Sequence, residues 1–170
     1  MSDLEWSRET RSGMNSGYYN RIAATFVDGS LIFKTEDDER SEDETAKVIE
    51  SAWRCECCSF GKLAPVDWFF VRSGRLVGVG ELKTRTHESG KYKTVFLNVR
   101  KWLALSLAAH GLGVPAVFVV RFTDVVKWID VAGIDASMVR IGGCAKIVKS
   151  RNDIEPIIEV AVNAMKVLLT

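Results

Sequence analysis

Apolar and polar positions along this chain fall into runs and periods that predict most of its elements. Two apolar runs within Arg21–Phe33 flank the turn pair Asp28-Gly29 and predict a hairpin. From Ser41 the spacing turns helical. Glu42, Ala46, Ile49 and Trp53 recur at i, i+4, i+7 and i+11, with Ser41 as N-cap and acids in the first turn. That puts Glu42 on the apolar face, while Asp43, Glu44 and Glu50 fall toward the flanks or solvent. Pro65–Arg72 and Leu76–Arg85 read as two strands joined around Ser73-Gly74, an antiparallel hairpin. Leu97–His110 reads as a helix, with Asn98 capping its start and Gly111 at its C′ position. The continuous apolar run Val114–Arg121 predicts a strand buried on both faces. Asp124–Val131, Met138–Ile141, Ala145–Val148 and Pro156–Val162 follow as shorter strands, then a helical end at Asn163–Leu168. Residues 1–20 hold no sustained period and read as a loosely ordered terminus. The order predicts a mixed β-sheet flanked by helices, an α/β architecture.

With 170 residues, 47% apolar and 26% charged, the chain has room for one core and belongs with soluble globular proteins. No apolar run is long enough to span a bilayer, and Met1–Glu5 opens no export signal. Three of the four cysteines crowd into Cys55-Glu56-Cys57-Cys58, which predicts free thiols in a reducing, cytoplasmic setting. The net charge of +1 conceals an asymmetry: residues 1–50 carry 6 Lys/Arg against 12 Asp/Glu, whereas residues 51–170 carry 17 against 10. A cationic C-terminal two-thirds is either a solvated surface or the footprint of a phosphate backbone. The division expected from these patterns is an N-terminal extension, partly ordered, over 1–40 and one domain over 41–170.

Three charged residues sit where strands seldom carry charge: Asp67 within Val66–Val71, and Glu81 and Lys83 at the end of the next strand. Glu81 and Lys83 are two apart and share a strand face, which Arg85 continues. Hairpin register decides whether Asp67 joins them. A two-residue loop at Ser73-Gly74 sets Asp67 against Gly80, on the opposite face from Glu81. A three-residue loop centred on Gly74, or an equivalent bulge, sets Asp67 directly against Glu81, and this is the register expected. Opposed carboxylates repel, and a divalent cation relieves them; oxygen ligands without His or Cys favour magnesium or manganese, with Glu42 available as a third ligand.

Asp67 followed by Glu81-Leu82-Lys83 resembles the signature of the PD-(D/E)XK nuclease superfamily, with Pro65-Val66-Asp67 approximating its Pro-Asp element. Val66 separates the proline from the acid, a departure from that pattern. Glu42 opening a helix, Lys101-Trp102 entering the next one, the strand Val114–Arg121 and the tail Asp153–Pro156 are similar to phage-type members, so the likeness covers about residues 41–168. It implies a restriction-endonuclease-like fold and metal-dependent hydrolysis of DNA phosphodiester bonds in phage or bacterial replication, recombination or repair, by an endonuclease rather than an exonuclease. In those terms Asp67, Glu81, the Leu82 carbonyl and Glu42 hold Mg2+, with Mn2+ able to substitute. Lys83 positions or activates the attacking water on DNA, branched or single-stranded. As cations beside the cleft, Arg85 and Lys101 are DNA-contact candidates; the plain alternatives are solvation for Arg85 and a stem lying over the core beside Trp102 for Lys101.

Plainer readings stand beside these. A noncatalytic nucleic-acid-binding module on the same fold accounts for the cationic surface. Cys55 and Cys58 have the spacing of a zinc pair, with Cys144 and His87 as partners, but no second close pair exists, and buried or surface thiols explain them better. His87 and His110 have no nucleophile at motif spacing. Gly78-Val79-Gly80 runs into a strand and is no phosphate loop. The acidic segment 1–40 can screen the cationic remainder.

Overall fold

The computed structural model describes residues 22–27, 30–60, 64–137, 139–143 and 154–169. The N-terminal hairpin is present as β1 (Ile22–Val27) and β2 (Ser30–Thr35), paired from Ile22↔Thr35 to Val27↔Ser30. Its turn residues Asp28 and Gly29 lie outside the described residues. The first helix, α1 (Glu36–Trp53), starts five residues before the expected Ser41. The run Glu36–Glu39 extends it, since acids in a first turn complement the positive helix end. Ser41 is therefore inside the helix, and its carbonyl accepts from Thr45 Oγ1 at 2.7 Å.

A six-stranded sheet forms the centre, in the order β11 (Lys166–Val167), β8 (Val126–Asp130), β7 (Ala116–Arg121), β5 (Arg75–Thr84), β4 (Trp68–Arg72) and β3 (Glu56–Ser59). β5 and β7 run parallel, and the other pairs are antiparallel. The apolar run predicted between two layers is β7, whose Ala116–Val120 are all buried. Its alternate residues feed two cores. Phe118 and Val120 join Val79 and Leu105 on one face; Val117 and Val119 join Phe70, Leu82 and Ile49 on the other. Burying such a side chain contributes about 1.5–3 kcal/mol. α1 covers the Leu82 face, and α2 (Val99–Leu112) covers the Val79 face.

A second sheet, in the order β6 (Thr94–Asn98), β10 (Ile154–Ala161) and β9 (Val139–Gly143), shares the α2 core through Val95, Leu97, Ile158 and Val160. β6 absorbs Leu97, which the helical period had claimed, so α2 begins after Asn98. α2 ends at Gly113, not Gly111: Gly113 takes the left-handed cap at φ 66° and donates to the Ala109 carbonyl. The helical end expected at Asn163–Leu168 is a 3-10 turn, Val162–Ala164, followed by β11, which adds a short edge to the main sheet. The strand expected at Ala145–Val148 lies outside the described residues.

Candidate active site

The β4–β5 hairpin closes on Ser73 and Gly74, with φ 50° and 71°, so Arg72 pairs with Arg75 across a two-residue loop. That loop alone would send Asp67 and Glu81 to opposite faces. The ladder shifts, however, between Val71↔Leu76 and Phe70↔Gly78, leaving Val77 as an extra residue. Beyond this bulge Trp68 pairs with Gly80, and the next step brings Asp67 opposite Glu81. The equivalent bulge, not the three-residue loop, supplies the expected register. Gly78 and Gly80 make room for the buried Phe70 ring; a Cβ on Gly80 would stand 2.8 Å from it.

α2 completes the constellation. The Lys101 ammonium lies 2.6 Å from Asp67 Oδ1 and 2.8 Å from Glu81 Oε2, bridging the two carboxylates. Lys101 occupies the first turn of α2, where the helix dipole opposes a cation, and the paired acids below outweigh that cost. Asp67 also accepts from the Leu82 N–H at 3.4 Å through Oδ2, on the side where the β4 ladder has ended. Asn98 sits at the N-cap position of α2 as expected, but its side chain makes no cap bond; its amide donates to Glu155 Oε1.

Two acids share one bridging ammonium here. Glu81 is only 12% exposed, and the cation its Oε2 meets is the one that Asp67 also uses. Burial, reinforced by the Asp67 charge, pushes the Glu81 carboxyl up to about 8, against the pull of Lys101. Burial works to lower Lys101, but Glu81 and Asp67 prevail and hold its ammonium above the usual lysine range. Lys83, on the face of Glu81, is lowered by burial and then by Arg85, with Glu81 and Glu155 acting the other way. Burial also lowers Arg85, whose side chain reaches only the Thr84 carbonyl at 3.5 Å and has no carboxylate partner among the described residues.

The structure thus gathers Asp67, Glu81, Lys83 and Lys101, with the Leu82 backbone and Arg85 adjoining. Glu42 is not gathered with them. Its helix does turn Ile49 and Trp53 inward, but toward the Leu82 face of the sheet, opposite Glu81, and Glu42 is half-buried. Among the described residues no three His, Cys, Asp or Glu side chains form a metal-holding group. Lys101, expected to contact DNA, rests here between the two acids. Two residues were not singled out as site residues: Glu155, whose charge acts on Lys83, and Asn98, which holds Glu155. Only the Asp153–Pro156 likeness hinted at the first. Cys55, Cys57 and Cys58 are free thiols, and Cys57 Sγ donates to the Ala46 carbonyl at 3.7 Å.

Two opposed carboxylates, one of them largely buried, and a lysine ammonium already lying between them suit a hard, oxygen-liganded divalent cation. A family model described as "Phage putative PDDEXK endonuclease" matches residues 31–168. No curated protein matches the chain. In fold it is similar to Archaeoglobus fulgidus Hjc, a Holliday junction resolvase from an archaeal hyperthermophile, at a TM-score of 0.52 and 12% identity over 74% of this chain and 89% of that one. The likeness supports a restriction-endonuclease-like mixed sheet with flanking helices. Among the described residues no helix is long and apolar enough to cross a membrane.

Proposed function

Because the chain belongs to the phage PDDEXK endonuclease family, we propose that it is a metal-dependent endonuclease hydrolysing phosphodiester bonds in DNA, serving phage or bacterial recombination, replication or repair. The observation that carries this reading is the bulge-set pairing of Asp67 with Glu81 on the face that also presents Lys83. Asp67 and Glu81 hold Mg2+, for which Mn2+ substitutes. The Leu82 carbonyl joins them, because a residue's carbonyl and N–H point to the same side of a strand, and the Leu82 N–H is directed at Asp67. The bound ion supplies a Lewis acid and lowers the pKa of a coordinated water.

The remaining work falls to this chain's side chains. Lys83 sits in a partly desolvated position where its ammonium offsets charge developing on the phosphoryl oxygens and orients the attacking water. Arg85, half-buried and without a carboxylate partner among the described residues, binds a neighbouring phosphate. Among the described residues both helices, α1 and α2, pack against the central sheet, which favours recognition of DNA shape over base sequence. Branched DNA is the first substrate to try, since the chain is similar in fold to a Holliday junction resolvase.

The test is cleavage of labelled linear, single-stranded and four-way branched DNA with Mg2+, Mn2+ or chelator, comparing wild type with Asp67→Asn and Lys83→Ala. Cutting is expected only with metal, and each substitution lowers it by about 10²–10³-fold or more while DNA binding persists. Absence of metal-dependent cutting on every substrate, with binding intact, overturns the reading in favour of a noncatalytic DNA-binding module.

A further inference from the structure

The ammonium of Lys101 occupies the position between Asp67 and Glu81 that a divalent ion would need. Both cannot sit there together, because a lysine cation and a metal ion in contact with the same carboxylate oxygens repel. Lys101 is also the cation best placed to leave. It is carried on the first turn of α2, against the dipole, by a flexible four-carbon stem, and its side chain is 22% exposed. The N–H groups of that turn are not capped by Asn98, whose amide is committed to Glu155.

Resting on the nuclease reading, we propose that Lys101 is an exchangeable counter-cation: it holds the Asp67–Glu81 pair together until a divalent ion displaces it, and the freed ammonium then binds a phosphate of the substrate. Lys101 thereby performs two successive tasks with one charge. Without metal it neutralises two acids that would otherwise repel across the hairpin and loosen the β4–β5 ends. With metal it becomes a positioning residue on DNA, so that tight substrate binding follows metal loading and does not precede it.

The proposal predicts opposite signs for metal and DNA affinity on removing Lys101. Calorimetric titration of the full-length protein with Mg2+ alone, at about pH 8.5 so that protons compete little with the metal, compares wild type with Lys101→Met and Lys101→Arg. The methionine variant binds Mg2+ about tenfold more tightly, as expected when a site free only a tenth of the time becomes always free. The arginine variant keeps a cation there and stays near wild type. Binding of branched DNA, read by fluorescence anisotropy with Ca2+ or with chelator, is weakened about five- to tenfold by Lys101→Met when Ca2+ is present and less than about twofold without it. Lys101→Gln is read in the same way if the methionine variant does not fold. Equal Mg2+ affinity in wild type and variants, or an equal loss of DNA binding with and without metal, overturns the exchange while leaving the nuclease reading in place. Failure of wild type and all variants to bind any divalent ion overturns both.

Discussion

Two cations pin a helix to the central sheet, one on each face, and they are built for different ends. On the α1 face, Arg121 of β7 donates from Nη1 to the Ser41 carbonyl at 3.1 Å and to Thr45 Oγ1 at 3.2 Å, and from Nη2 to Glu44 Oε2 at 2.8 Å. One guanidinium meets one carboxylate and two neutral acceptors, and the charge is balanced. On the α2 face, one ammonium serves two carboxylates, and the more buried of them, Glu81, is pushed up to about 8. The first arrangement is complete as it stands. The second holds one carboxyl in surplus over its bridging ammonium, and burial and the Asp67 charge raise that carboxyl, an arrangement that folding alone does not require and that marks a place for a further cation.

The largest expected effect tests that surplus. Glu81→Gln keeps the shape of the protonated acid but removes a ligand, so DNA cleavage falls by about 10³-fold, read in the branched-DNA assay. Stability moves the other way. A carboxyl raised from 4.5 to about 8 binds its proton more tightly folded than unfolded, so its contribution is full below about pH 4.5 and is lost as pH rises through about 8. The glutamine variant has no such loss. In metal-free buffer its melting temperature should therefore exceed that of wild type by an increasing margin between about pH 5 and 8, reaching several degrees at about 2–4 °C per kcal/mol. A difference that does not vary with pH breaks the contrast, because burial and the Asp67 charge would then not be raising Glu81.

How much of this was legible follows from the range of the interactions involved. The β4–β5 strands, the N-terminal hairpin and β7 come from local alternation and apolar runs, which a sequence displays directly. The register of the site did not come that way, because Val77 is an ordinary strand residue by type and only the tertiary fit of Phe70 over Gly78 and Gly80 marks it as the bulge. Lys101 illustrates the same limit. Its helix was expected, but its partners lie 34 residues away at Asp67 and 20 away at Glu81, and no periodicity carries that information. Glu42 failed to join the pair for the converse reason: its helical face was read correctly as turned to the sheet, but helical period does not say which face of the sheet. The elements missed outright, β3 and β6, span only 4 and 5 residues, the first hidden in the cysteine cluster and the second merged into α2.

A middle-sized effect belongs to the balanced side. Arg121→Met removes one of the two donors to the Ser41 carbonyl, which keeps Thr45 Oγ1, takes the donor from Thr45 Oγ1 and leaves Glu44 without its cation, and should cost about 1–3 kcal/mol in denaturant unfolding. Cleavage per folded molecule should stay within about twofold of wild type, since nothing of the Asp67–Glu81 pair is touched. Loss of cutting comparable to that of Lys83→Ala would mean that α1 contributes to the site across the sheet, and the two faces would no longer be separable in function.

The smallest effect is the sharpest measure of what balance means here. Glu44 is 52% exposed, so its pair with Arg121 lies in a high dielectric and pays side-chain entropy to form. Glu44→Gln should cost no more than about 1 kcal/mol, shrinking further at high salt as surface charges are screened. In the Arg121→Met background the same change should cost nothing, and the double-mutant cycle then gives a coupling below about 1 kcal/mol. The low value follows from completeness: Arg121 retains the Ser41 carbonyl and Thr45 as acceptors when Glu44 is neutral, so no buried charge is stranded. The Lys101 pair has no such reserve, because both of its partners are acids and one is buried. A coupling above about 2 kcal/mol between Arg121 and Glu44 would place that pair in the same energetic class as the active-site acids and remove the distinction between a cation that fastens the fold and one that waits to be exchanged.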